Sequence, residues 1–302
     1  MRLKTADNLL STIRGGSYER RRILPLIYSL LNWKQYGLRK RLASQFRSSQ
    51  YTKIPQELGF VRTRFTDMSV VEEVIRDAEQ KVKYPNNQET LLGNYDPLHY
   101  DCLDQTSLNL DSPYLRFCLQ DEIIGIVSRY LREIPILTHI GVWNSSPKFF
   151  VEHEYSETQF FHCDGDASTQ IKIFICVSNV TEESGPLCLL DAHQSKTARR
   201  RLRYRYHSSD YRVTDDEMEN VLPNYNIFQC IGDRGTIFFT DTSKCFHYGA
   251  RIADREHSRV LVWFNFIPIS QTLVPKKRKS YPFHSLVDSN LSETQQLVLG
   301  RQ

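Results

Sequence analysis

The sequence predicts a mainly β protein with added helices: a sandwich or jelly roll behind an amino-terminal helical extension. Three observations carry that expectation. From Pro135 onward the chain breaks into short β-branched or aromatic runs, such as "QIKIFICVSNV", "GTIFFTD" and "SRVLVWFNFI", separated by Gly, Pro, Asn, Asp and Ser. Many short strands with turn signals between them form sandwiches and rolls. Before Pro135 the apolar residues instead recur every three to four positions, the period of a helix. The chain has 302 residues, 40% apolar and 12% aromatic, enough for one core of about 200 to 250 residues plus an accessory segment.

In chain order, residues 1–60 form a basic segment. Residues 1–50 hold eleven Lys or Arg against two acids, a surplus of nine positive charges that leaves the remainder at −5. The stretches "NLLSTIRGG" and "RRRILPLIYSLLNWKQYGLRKRLASQF" read as amphipathic helices with basic faces. Such helices either pack on the main domain with their charge in solvent or meet an anionic membrane surface or an acidic partner. A jelly-roll domain is expected over 61–270. It opens with helices at Val70–Val82 and Tyr114–Glu133, followed by strands at "ILTHIGVWNS", "KFFVEHEYS", "TQFFHCD", "QIKIFICVSNV", "PLCLLDAH", "YNIFQCI", "GTIFFTD" and "SRVLVWFNFI". A polar, basic insertion at about 192–223 interrupts them. Its "TDDEMENVL" has Thr214 three residues before Glu217, a capping box. Long inserts in compact domains often serve as lids or binding elements. Residues 271–302 complete the chain as a tail containing "PKKRK".

Composition excludes several classes. No apolar run approaches the ~20 residues that span a bilayer. The basic "RRR" before "ILPLIYSLLNW" lies too far from the start, and no small-residue cleavage site follows, so a signal peptide is not expected. Seven cysteines, odd in number and scattered through apolar runs, read as free thiols in a reducing, cytoplasmic setting. "KTARRRLRYRYHSSDYR" mixes cations with tyrosines, but as part of an insertion it reads as a lid with a solvated basic face rather than a nucleic-acid surface. Its arginines would steer an anionic small-molecule substrate.

The chemistry gathers at "QFFHCDGDAS". In an extended strand residues i and i+2 share a face about 6.5–7 Å apart, so His162 and Asp164 converge on one small cation while Cys163 turns away. His247 lies near the far end of the β region, after "GTIFFTDT" and a tight loop. Two histidines and one carboxylate form the facial triad that suits non-haem iron(II), leaving coordination positions open. Arg259, twelve residues on, opens a strongly apolar strand where a guanidinium is costly to bury without a partner. A dicarboxylate chelating the ion through one end would offer Arg259 the other. Cys245 with His247 and His162 would instead make a zinc site. Asp166 is too far along the strand to share the ion directly.

The order "QFFHCDGD…IKIFICVSNVTEESGPLCLL…GDRGTIFFTDT…H.G…R" resembles the phytanoyl-CoA dioxygenase family of iron(II)- and 2-oxoglutarate-dependent oxygenases over roughly residues 136–267. The resemblance implies a cupin-like jelly roll, with iron(II) on His162, Asp164 and His247, and 2-oxoglutarate paired with Arg259. It also implies O2 as co-substrate and hydroxylation of a C–H bond in a small-molecule or lipid-like substrate. Arg251 and Arg255 compete with Arg259 for the cofactor role. Lys172 is a candidate for a cofactor or substrate carboxylate, or equally a cation on an exposed strand edge, and Asn144 and Gln159 are candidates for the carboxylate nearest the iron. Gly249 stands where relatives carry a Ser or Thr that contacts 2-oxoglutarate, and "LDAHQS" where they carry "PGSH". A jelly-roll module that binds without catalysis, or a zinc hydrolase, would keep the same residues for other ends.

Overall fold

The computed structural model describes residues 24–47, 52–83, 100–145, 155, 157–206, 211–253, 259–271 and 281–301. It is a mixed α/β structure with two antiparallel sheets. The larger sheet has six strands in the order β1-β7-β4-β9-β3-β2: β1 Phe60–Thr63, β7 Ile237–Thr240, β4 Ile171–Cys176, β9 Arg259–Ile267, β3 Ile136–Ser145 and β2 Tyr100–Asp101. The smaller has three, in the order β6-β5-β8: β6 Ile227–Gln229, β5 Cys188–Leu190 and β8 His247–Tyr248. The strands expected at "KFFVEHEYS" fall largely outside the described residues.

Alternation along the strands sorts side chains between two cores. On β4, Ile171, Ile173 and Ile175 join the helical side with Val262, Phe264 and Phe266 of β9. Phe174 and Cys176 face the other way with Leu261 and Trp263, meeting Leu187, Leu189 and Cys245 from around the smaller sheet. Lys172 shares this second face, so it points between the sheets rather than off an edge. Gly141 on β3 lies under Trp263, whose Nε1 occupies the space a Cβ would need. The aromatic ring therefore requires glycine there.

Helices cover the outer face of the large sheet. The helix expected at Val70–Val82 forms over Ser69–Lys83 and buries Val70, Val71, Val74, Ile75 and Ala78. That is the 3-to-4 spacing of one apolar stripe. The expected Tyr114–Glu133 helix is two, Pro113–Cys118 and Asp121–Leu131, because Gln120 is extended with ψ 136°. Arg132, in the left-handed region at φ 64°, ends the second. The amino-terminal segment contributes helices Leu24–Leu31 and Trp33–Ala43. Buried Arg39 fixes the latter by donating to the carbonyls of Ile134 (3.0 Å), Pro135 (3.1 Å) and Leu297 (2.9 Å). Within the carboxy-terminal tail, helix Glu293–Val298 starts on a Ser292–Gln295 capping box and buries Leu297 and Val298 in the helical-side core. No described helix is long and apolar enough to cross a membrane.

The insertion holds two helices. Ala192–Arg201 begins inside "LDAHQS", where Asp191 accepts from the Gln194 N–H. Asp215–Val221 carries the expected Thr214–Glu217 capping box, with both halves formed.

Candidate metal centre

Two backbone hydrogen bonds bring the distant histidines together. The His162 N–H donates to the His247 carbonyl (3.0 Å) and the His247 N–H to the His162 carbonyl (2.9 Å). They form an antiparallel bridge between the "QFFHCD" segment and β8. Directly opposed residues of such a pair project to the same face, and the two imidazoles lie with centroids 4.2 Å apart. Asp164, two residues on, is held by its N–H donating to the Thr242 carbonyl (2.9 Å). Its Oδ1 lies 3.9 Å from His247 Nε2. One ligand atom from each of His162, Asp164 and His247 falls within 4.8 Å of the others, and no other such cluster occurs among the described residues. Cys163 turns away, its N–H donating to the Tyr204 hydroxyl (3.0 Å) and its sulfur facing Arg199.

The protonation states suit a cation. His162 Nδ1 lies 2.9 Å from the Phe160 carbonyl and His247 Nδ1 3.1 Å from the Cys245 carbonyl. A carbonyl only accepts, so each Nδ1 carries the proton and each Nε2 presents its lone pair, as in metal-binding histidines oriented through the other nitrogen. Burial lowers the pKa of both rings, most strongly for His162, where the neighbouring His247 adds to the effect. Burial alone would raise the Asp164 carboxyl, but its surroundings, led by the Lys172 ammonium, outweigh this and hold the group well below its ordinary range. The site thus combines two neutral nitrogen donors and an ionised carboxylate, a donor set that fits a divalent transition metal with open positions.

A cavity of about 90 Å³ adjoins the triad, walled by Trp143, Phe174, Leu187 and Leu261, with Lys172 and Arg259 also lining it. Arg259 faces Ser145 across the β3–β9 pair and donates to its Oγ through Nη2 (3.2 Å). The residue is 4% exposed, its Nε and Nη1 have no hydrogen-bond partner, and burial lowers its pKa to about 10. A buried guanidinium without a carboxylate is costly, and an anion entering the cavity would relieve that cost. Arg251 is already satisfied: it grips Asp215 with two contacts of 2.7 and 2.8 Å and stacks on Tyr248. Arg255 lies outside the described residues. A larger cleft of about 510 Å³, lined in part by Arg64, Asp67 and Arg116, gathers no such ligand set among the described residues.

The remaining candidates divide. Lys172 lies in the cavity, its Nζ 2.8 Å from Asp164 Oδ2. Asn144 sits on β3 opposite Val260, on the other face of the strand from Trp143 and Ser145. Gln159 is buried and donates through Nε2 to the Ala250 carbonyl (2.9 Å). Neither Asn144 nor Gln159 lines the cavity. Cys245 donates to the Leu58 carbonyl (3.4 Å), away from the imidazoles, so no thiolate–histidine set forms among the described residues. Asp166 is exposed. Two contributors were not anticipated. Gln170 Nε2 donates to Asp164 Oδ2 (3.0 Å) and Thr242 Oγ1 (2.9 Å), and Ser145 carries Arg259. Ser145 was discoverable once β3 and β9 were paired; the polar Gln170 beside an apolar strand gave no comparable signal.

No family profile and no curated protein matches the chain. Among solved structures, EctD from S. alaskensis with bound Fe superposes with a TM-score of 0.53 at 12% identity, covering 80% of this chain and 82% of that one. EctD with 2-oxoglutarate and 5-hydroxyectoine matches at 0.50, again with 12% identity and the same coverage. The epimerase SnoN, in complex with Fe3+, alpha ketoglutarate and nogalamycin RO, gives 0.49 at 11% identity over 80% of this chain and 93% of its own. At these identities the likeness to EctD is one of fold.

Proposed function

We propose that this chain is a jelly-roll oxygenase of the phytanoyl-CoA dioxygenase family, dependent on iron(II) and 2-oxoglutarate, that acts on a C–H bond of a small-molecule or lipid-like substrate. One observation carries the reading: two neutral imidazoles and a carboxylate meet beside a buried guanidinium that has no carboxylate partner among the described residues. The fold shared with EctD, a protein crystallised with Fe and with 2-oxoglutarate, supports it.

In this reading His162, Asp164 and His247 hold the iron, and Arg259 pairs with the distal carboxylate of 2-oxoglutarate while Ser145 steadies the guanidinium. Trp143, Phe174, Leu187 and Leu261 keep that arm of the cavity dry, which strengthens the charge pairing. Bound there, iron(II) and 2-oxoglutarate supply the means to activate O2, giving succinate and carbon dioxide as co-products and hydroxylation as the default outcome. The free thiols, buried at six of the seven positions, support a reducing, cytoplasmic setting. Contact of the amino-terminal helices with an anionic surface draws on exposed Leu26, Leu30 and Trp33 beside exposed Lys34 and Lys40.

Release of labelled carbon dioxide from 1-14C-2-oxoglutarate by iron-loaded protein, offered a metabolite extract, tests the reading. Turnover that is lost in Asp164→Ala is the expected result. Absence of turnover despite tight binding of both iron and 2-oxoglutarate would favour a binding module without catalysis.

A further inference from the structure

Asp164 is held by more than its backbone. Its Oδ2 accepts from the Gln170 carboxamide (3.0 Å) and pairs with the Lys172 ammonium (2.8 Å), while Oδ1 is the oxygen nearest the His247 ring. Both partners are themselves fixed. Gln170 is fully buried and also donates to Thr242 Oγ1 (2.9 Å). Lys172 extends from the inward face of β4, between Phe239-bearing β7 and β9, with its ammonium 5.1 Å over the Trp263 ring. The Lys172 and Asp164 side chains are only 12% and 15% exposed, so water screens the pair weakly.

From this arrangement we infer that Lys172 and Gln170 are positioning residues that restrict Asp164 to one-oxygen coordination, and that Lys172 makes the ligand set electrically neutral toward the ion. With Oδ2 committed to two donors, only Oδ1 is free to bind. Two neutral imidazoles and one carboxylate would offer a divalent ion a net charge of −1; the ammonium on the same carboxylate brings that to zero. A cation bound through Oδ1 therefore shares its carboxylate with a fixed positive charge in a poorly screened setting, and like charges there repel. The consequence is a deliberately moderated metal affinity, with the third oxidation state of iron disfavoured relative to the second. Lys172, a candidate for a cofactor or substrate carboxylate on sequence grounds, acts in this account on the metal ligand instead.

The inference rests on the iron-site reading above, and a metal titration separates the two. Cobalt(II), added to metal-free full-length protein and followed by its visible ligand-field bands, reports affinity and geometry without turnover. Lys172→Met, which keeps an unbranched side chain one atom shorter and removes its charge, is expected to bind cobalt(II) at least tenfold more tightly than the parent. Lys172→Arg is expected to stay within about threefold of the parent, since it retains the charge. Gln170→Leu is expected to alter the band shape as Oδ2 loses one of its two donors, and an unchanged band shape overturns the positioning role of Gln170. Unchanged or weaker binding by Lys172→Met, with its melting temperature and circular dichroism preserved, overturns the inference and leaves the iron site standing. Failure of the parent to bind cobalt(II), or retention of binding by Asp164→Ala, overturns both. If Lys172→Met does not fold, the comparison moves to Lys172→Gln, with the same tightening expected and the same overturning result.

Discussion

At Gly249 the backbone passes so close to Arg259 that a Cβ would lie 3.6 Å from Nη1 and 3.7 Å from Nη2, ordinary contact distances. A hydroxyl is therefore admissible there. Gly249→Ser is expected to tighten 2-oxoglutarate binding about fivefold, the worth of roughly one net hydrogen bond, measured by anaerobic calorimetry with manganese(II) in place of iron. Arg259→Met tests the other half of the same pair. Losing charge-assisted hydrogen bonds of about 1.5–3 kcal/mol should raise the dissociation constant of 2-oxoglutarate by about 10- to 100-fold. Removing a buried, unpaired guanidinium should meanwhile leave the ligand-free protein at least as heat-stable as the parent. A lower melting temperature without any loss of affinity would mark Arg259 as a structural residue.

Elements were legible where a single periodicity governed them. The strands at Ile136–Ser145, Ile171–Cys176, Ile237–Thr240 and Arg259–Ile267 follow their β-branched and aromatic runs, because both faces are largely buried and most of the side chains are apolar. The break at Gln120 was hidden because the apolar stripe continues through it. Helix Ala192–Arg201 was hidden for the opposite reason: four of its ten residues are Lys or Arg, and only Ala192, Ser195, Ala198 and Arg199 are buried. The second insertion helix is anchored to the loop beyond His247 through the Arg251–Asp215 fork. The double variant Thr214→Ala, Asp215→Ala removes a capping box worth about 1 kcal/mol and that anchor. Amide exchange over residues 214–222 should accelerate about fivefold or more while cobalt(II) affinity stays unchanged. Equal exchange rates would mean that the helix is held by its buried Met218 alone.

Across the whole molecule, the amino-terminal segment, the Ile134–Pro135 stretch that leads into β3 and the carboxy-terminal helix are joined at Arg39, near buried Glu133. Desolvation is the largest influence on Glu133 and, against hydrogen bonds from Ser270 and the charge of Arg39, raises its pKa from 4.5 to about 7. The folded state therefore holds this proton where the unfolded state has lost it. The associated stability is full below about pH 4.5 and is lost as the pH rises through about 7. Chemical denaturation of Glu133→Gln should lack this component, so its stability should fall less than the parent's between pH 5 and 8; parallel curves would contradict the assignment. This junction had no signature in the sequence, since it depends on contacts between residues such as Arg39 and Leu297 that are 258 positions apart. The triad was more legible: a strand pattern, an H-x-D pair and an inward arginine placed His162, Asp164, His247 and Arg259. Their meeting depends on the bridge between His162 and His247, which spacing alone does not specify.

The exposed stripe of Leu26, Leu30 and Trp33, 64%, 74% and 65% exposed, bears on how the whole protein meets its surroundings. Together with the basic charge of residues 1–50 it should bring the protein down with phosphatidylserine-containing vesicles and not with neutral ones. Leu26→Ser with Leu30→Ser should abolish that sedimentation, and equal sedimentation with both vesicle types would remove electrostatics from the explanation.

The most direct test of the central claim is the visible spectrum of the protein under anaerobic conditions as 2-oxoglutarate is added to the iron(II) form. A weak metal-to-ligand charge-transfer band that saturates at one equivalent, and disappears in Asp164→Ala and His247→Ala, is the predicted result. A spectrum unchanged by 2-oxoglutarate, or a band that survives both substitutions, would contradict a common iron site built from His162, Asp164 and His247.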